Sequence, residues 1–184
     1  REDKGYTYGS YSSIGNSKIT ATRFRASASV RNEVTDSAVV EIVNEIKRIR
    51  TDLVSEIELK KAKAKYVGNF VRSLEDPEII ASFAYEIATE NLDPDFYKNY
   101  LDRINAVTVE DVKRVAQKYF NVDQARVVVT GKGVDVLDNL EKVQFNGNYL
   151  PINYYDKYGM SIERPQKLAV ADGVTAESVL KSFI

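Results

Sequence analysis

The sequence predicts an α+β fold in which an antiparallel sheet is covered on one face by helices. Three observations point there. Two runs rich in Tyr, Ser, Thr and Ala flank a glycine-containing turn at residues 14–18. From Thr35 onward the apolar residues recur at three- and four-residue steps, interrupted by helix-start signals. A short unbroken apolar run, ARVVVTG at 125–131, then reads as a core strand ended by glycine.

The opening stretch, REDKGYTYGSYSSIG, passes from a charged cluster into Tyr6, Tyr8 and Tyr11, and the residues from Tyr6 to Ser13 favour a strand. IGNSK at 14–18 is the turn, because Gly15 and Asn16 accept positive φ. ITATRFRASASVR at 19–31 is the return strand, and its phase slips near Thr22–Arg23, which predicts a bulge or a bend in a long strand. TDSAVVEIVNEIKRIR then follows in helical period and buries Val39, Ile42, Val43, Ile46 and Ile49. Thr35 or Asp36 caps its start, and Lys47, Arg48 and Arg50 suit its negative end.

Ser55 and Glu58 form a capping box that opens a second helix, EIELKKAKAKYVGNFVRSL. Its KKAKAK cluster is a solvated face rather than a nucleic-acid patch, because Glu56 and Glu58 stand one helical turn before Lys60 and Lys61. Gly68 predicts a kink or a close contact. Asp76–Pro77 and Asp93–Pro94 each start a further helix, and Thr108 with Asp111 makes a second box ahead of VEDVKRVAQKYF. GKG at 131–133 lacks the spacing of a phosphate loop and reads as a turn. VDVLDNLEKV gives a short helix, and Val143–Phe145 a short strand before NGN. Tyr154, Tyr155 and Tyr158, in a loop-like segment, are expected to form an interdomain packing cluster, with a peptide-stacking surface as the alternative. The expected organisation is an α+β domain over 1–148, a linker over 149–169 and the start of a further domain over 170–184. With no initiator Met and an apolar last residue, the chain reads as a piece truncated at both ends.

Composition removes many functions. The formal net charge of -1 provides no attraction for nucleic acid or an acidic membrane, and no run of 18 apolar residues spans a bilayer. Cysteine is absent, which excludes disulfides and leaves the redox compartment open. Histidine is absent too, so Ser-His, Cys-His and His-based acid–base constellations cannot be assembled within the chain. A zinc site here would need carboxylates alone, a ligand set zinc rarely takes.

Several motifs occur together in a fixed order: REDKGYTYGSYSS, then F-x-A-x-A-S-V-R with EVTDSAVVEIVNEI, then E-x-x-x-A-K, then TVEDVKRVAQKYF ahead of VVVTGKG. This ordered set, over residues 1–133, resembles the second-half domain of the pitrilysin/insulinase-type inverted-zincin metallopeptidases, a family related to the mitochondrial processing peptidases. The resemblance implies one of two homologous α+β halves that close on a peptide. One half of such an enzyme carries a His-x-x-Glu-His zinc motif, and the other lends an Arg–Tyr pair to the shared site. Arg1 and Tyr6 match that pair in R-x-x-x-G-Y-x-Y, as assisting catalytic residues, and Tyr8 matches a substrate-binding position. The arginine would hold substrate oxygens, and the tyrosine would donate to the oxyanion formed when zinc-bound water attacks the scissile carbonyl. Strand alternation would place Tyr6 and Tyr8 on one face.

The chain departs from the family at the zinc motif. Glu33, Glu41 and Glu45 lack the adjacent His of the family's general base, and read as helix-surface groups. The resemblance therefore implies no cofactor in this chain, with zinc in a complementary homologous half supplied in cis or in trans, and a peptide substrate. Alone, the chain would be inactive. The competing expectation is a catalytically dead scaffold or peptide-binding subunit of the same family. The multidomain organisation is similar to bacterial envelope members of the family and implies periplasmic or cell-envelope residence, with the cytoplasm as the alternative.

Overall fold

The computed structural model describes residues 4–17 and 19–166. Helices account for about half of the described residues, and the strands form two small antiparallel sheets. In chain order the elements begin with β1 (Thr7–Ile14), β2 (Phe24–Val30), α1 (Thr35–Thr51) and α2 (Glu56–Ser73). They continue with α3 (Pro77–Glu90), α4 (Tyr100–Ala106), α5 (Val109–Tyr119), α6 (Gly133–Leu140), β3 (Gln144–Phe145) and β4 (Asn148–Tyr149). The chain divides into two compact units, one comprising the residues up to Glu41 and from Val127 on, the other Ile42–Arg126. The segment expected at 170–184 lies outside the described residues.

In the first unit β1 and β2 pair antiparallel, with Thr7 opposite Val30 and Ile14 opposite Phe24. The register is irregular between Thr7 and Ser10, not at the expected Thr22–Arg23 slip. Thr7 explains the shift. Its hydroxyl lies 2.6 Å from the Ser29 carbonyl and 2.8 Å from the Gly9 carbonyl, and accepts from the Gly9 N–H at 3.1 Å. A side chain thus serves groups that a regular ladder would serve. Residues 19–23, expected to extend β2, form a loop instead. There the Ser17 hydroxyl accepts from the Thr20 N–H at 3.1 Å, and Gly15 N–H closes onto the Arg23 carbonyl at 3.1 Å.

The buried apolar residues of this unit are Val136, Leu137 and Leu140 of α6, Val143, and Ala38 of α1. Asn146 and Gly147, both at positive φ, turn β3 into β4, a conformation that Asn and Gly accept readily. The expected core strand at 125–131 is a correction: among the described residues it joins no sheet, and Val128 is 85% exposed. A strand apolar on both faces needs a sheet neighbour at each edge, and here β1 and β2 pair only with each other.

In the second unit three of the four predicted helix starts are built as read. Ser55–Glu58 and Thr108–Asp111 close full capping boxes, and Asp76 caps α3 ahead of Pro77. Aromatic side chains hold α2, α3 and the turns before α4 together. Phe70 stacks on Phe83 at 5.7 Å between ring centroids, and Phe83 on Tyr97 at 3.9 Å. Arg103 lies 4.0 Å over the Phe96 ring. Three expectations change. The Asp93–Pro94 start leads into turns, and helix begins only at Tyr100, because Phe96, Tyr97 and Tyr100 must all reach the same aromatic stack. Gly68 admits no close neighbour, since a Cβ there would meet nothing within 4 Å. Thr35 opens α1 as expected, but its hydroxyl donates back to the Arg31 carbonyl at 3.2 Å and does not cap an amide.

Candidate functional site

The residues singled out by the sequence lie where the chain enters β1. Arg1 is outside the described residues. Tyr6 occupies a bend one residue ahead of β1 and is half-buried, whereas Tyr8, inside β1, is 94% exposed. Because the strand starts at Thr7 and its register is irregular as far as Ser10, simple alternation does not extend from Tyr6 to Tyr8.

The backbone at this entry is shaped by glycine and held by two side chains. Gly5 has φ +61°, a left-handed conformation that suits glycine, and it turns the chain just before Tyr6. Lys4 Nζ makes an ion pair with Glu41 Oε1 of α1 at 2.8 Å. Thr7 ties the other side of Tyr6 to the Ser29 carbonyl of β2. Reading the sequence alone did not find this pair or this tether, and its only hint was the conformational freedom of Gly5.

Chemically, the entry offers a half-buried phenol and an exposed one. Each is a hydrogen-bond donor of the kind that stabilises developing negative charge on an oxygen. No group of three or more His, Cys, Asp or Glu side chains among the described residues is placed to hold a metal ion, and the sequence contains no histidine. The three glutamates considered earlier lie at the surface, where Glu41 pairs with Lys4 and Glu45 accepts from Arg48 at 2.9 Å. That carboxylate raises the Arg48 guanidinium above its ordinary pKa.

Two polar clusters lie away from β1. In the first unit Arg164 reaches Glu141 and Asp138 of the α6 region, and the Tyr154 hydroxyl donates to the same Glu141 at 2.8 Å. The expected Tyr154–Tyr155–Tyr158 cluster is thus split, since Tyr155 and Tyr158 are exposed. In the helical unit Tyr97 donates to Glu86, and the Tyr66 and Tyr100 hydroxyls meet at 2.6 Å. An open hollow of about 430 Å³ beside α5 is lined by Ile49, Val107, Val112, Val115 and Phe120, and carries no reactive group beyond the Asp111–Arg114 ion pair on its rim. No helix among the described residues is long and apolar enough to cross a membrane. Compared with known proteins, the chain matches no protein-family model, and no curated protein is significantly similar to it.

Proposed function

We propose that this chain is the non-zinc half of an inverted-zincin metallopeptidase. Its α+β fold would line a peptide-binding chamber completed by a zinc-bearing homologous half, in the same polypeptide or in a partner subunit. The observation that carries this reading is the ordered motif series over residues 1–133, with R-x-x-x-G-Y-x-Y at the entry to a β-hairpin. The absence of histidine agrees with zinc being supplied from elsewhere. In this reading Tyr6 donates a hydrogen bond to the oxyanion that develops as water adds to the scissile carbonyl. Arg1 holds backbone or carboxylate oxygens of the substrate with its planar fork of donors, and Tyr8 contacts the peptide from β1.

The test is Tyr6→Phe in the complete zinc-loaded enzyme. A donor to the transition state, once removed, lowers kcat by about 10²- to 10³-fold with little change in KM. Equal loss of binding and turnover would contradict the oxyanion role. A second reading, a catalytically dead scaffold or peptide-binding subunit of the same family, draws on the same lack of histidine. It predicts that neither the natural polypeptide nor a partner subunit contains His-x-x-Glu-His.

A further inference from the structure

We infer that Lys4, Glu41 and Thr7 are positioning residues for Tyr6, an inference that rests on the peptidase reading above. The reason is the way the chain is tied on either side of that one residue. Two positions before Tyr6, the Lys4 ammonium is held 2.8 Å from Glu41 on α1. One position after it, the Thr7 hydroxyl is 2.6 Å from the Ser29 carbonyl on β2. Between the tethers, Gly5 at φ +61° makes the turn that brings Tyr6 into line with β1. Tyr8 lies past the second tether and is almost fully exposed, while Tyr6 is half-buried.

The Lys4–Glu41 pair contributes little to folding stability. Lys4 and Glu41 side chains are 51% and 43% exposed, and such pairs are weak in water. The effect of the tethers is local: they narrow the positions the Tyr6 hydroxyl can take. An oxyanion donor works only within a few tenths of an ångström of its hydrogen-bonding distance, so a loosened tether costs turnover rather than substrate affinity.

The experiment uses the complete zinc-loaded assembly containing this chain. Lys4→Met and Thr7→Val should each lower kcat about tenfold with KM within about twofold, and Lys4→Met should leave the melting temperature nearly unchanged. The charge-exchanged pair Lys4→Glu with Glu41→Lys should recover most of the Lys4→Met loss. Glu45→Gln, which removes a comparable surface ion pair one turn further along α1, should leave kcat unchanged. In a Tyr6→Phe background the Lys4 and Thr7 substitutions should add no further loss, because they act through the missing hydroxyl. Full additivity on that background, or an effect on KM alone, would overturn the positioning role while leaving the peptidase reading intact. A Tyr6→Phe enzyme with unchanged kcat would remove the peptidase role of Tyr6, and the inference with it. Hydrogen exchange over residues 4–9 of the same assembly gives a readout besides turnover. Thr7→Val should accelerate exchange at Gly9, whose N–H donates to the Thr7 hydroxyl, and unchanged protection there would also overturn the inference.

Discussion

Arg164 grips Glu141 with two hydrogen bonds, Nε to Oε1 at 2.6 Å and Nη2 to Oε2 at 3.0 Å, while the same Nη2 reaches Asp138 Oδ1 at 2.6 Å. The Tyr154 hydroxyl donates to Glu141 as well, so the segment 150–165 is fastened to the end of α6 at two points. Bonds from Arg164, and then from Tyr154, hold the Glu141 carboxyl below the usual glutamate range. A depressed folded pKa means a contribution present above the unfolded value and lost as pH falls through the folded one. The clasp should therefore survive acidification through the ordinary glutamate range and open only in stronger acid. Arg164→Ala should open it at neutral pH. Limited proteolysis after Lys157 reports the change, with faster cleavage in the variant and little movement of the melting temperature. Equal cleavage rates in variant and wild type would show that the clasp does not restrain the segment.

The Tyr97–Glu86 bond makes the opposite pH prediction. Burial, and then the bond to Glu86, pushes the Tyr97 phenol up to about 12. A raised folded pKa contributes stability below the unfolded value, about 10 for tyrosine, and that stability disappears as pH rises through the folded value. The helical unit should therefore lose stability between about pH 10 and 12. Tyr97→Phe should flatten that limb and cost about 1 kcal/mol at neutral pH, a low figure because the group is only half-buried. Chemical denaturation across this pH range, followed alongside phenolate absorbance, measures both effects. An unchanged alkaline limb in the variant would assign it to another group.

Gly68 lies in the interior of α2 with open space where a Cβ would stand. Gly68→Ala should stabilise the protein by about 0.5–1 kcal/mol, through helix propensity and a less disordered unfolded chain. A destabilised variant would reveal a contact at that face.

At the start of the same helix, the Ser55 hydroxyl accepts from the Glu58 N–H at 3.2 Å, and the Glu58 carboxylate accepts from the Ser55 N–H at 2.9 Å. Ser55→Ala should cost about 1 kcal/mol in equilibrium unfolding. The Ser55 N–H, and then its hydroxyl, lower the Glu58 pKa, and the variant should move that pKa partway back toward its ordinary value. Carboxyl chemical shifts followed through a pH titration would detect this.

What could be read from the sequence was local. Ser55–Glu58, Thr108–Asp111 and Asp76–Pro77 each specify their geometry within four residues, and each was built as read. Features that depend on distant neighbours could not be read in this way. ARVVVTG has strand chemistry, but pairing is a property of two segments, and no described segment lies against it as a strand. Lys4 finds Glu41 across 37 positions and Arg164 finds Glu141 across 23, distances at which side-chain type predicts no partner. At the candidate site, the residue types of Tyr6 and Tyr8 were legible, whereas the tethers on either side of Tyr6 became visible only in the fold.

Whether Tyr6 serves a shared peptidase site is tested most directly by peptide cleavage in the complete assembly, with and without zinc, with this domain present, omitted or carrying Tyr6→Phe. The peptidase reading predicts zinc-dependent cleavage that requires the domain and falls about 10²-fold or more in kcat with Tyr6→Phe. Absence of cleavage by every complete, zinc-loaded assembly across a broad peptide panel would contradict it and favour a scaffold.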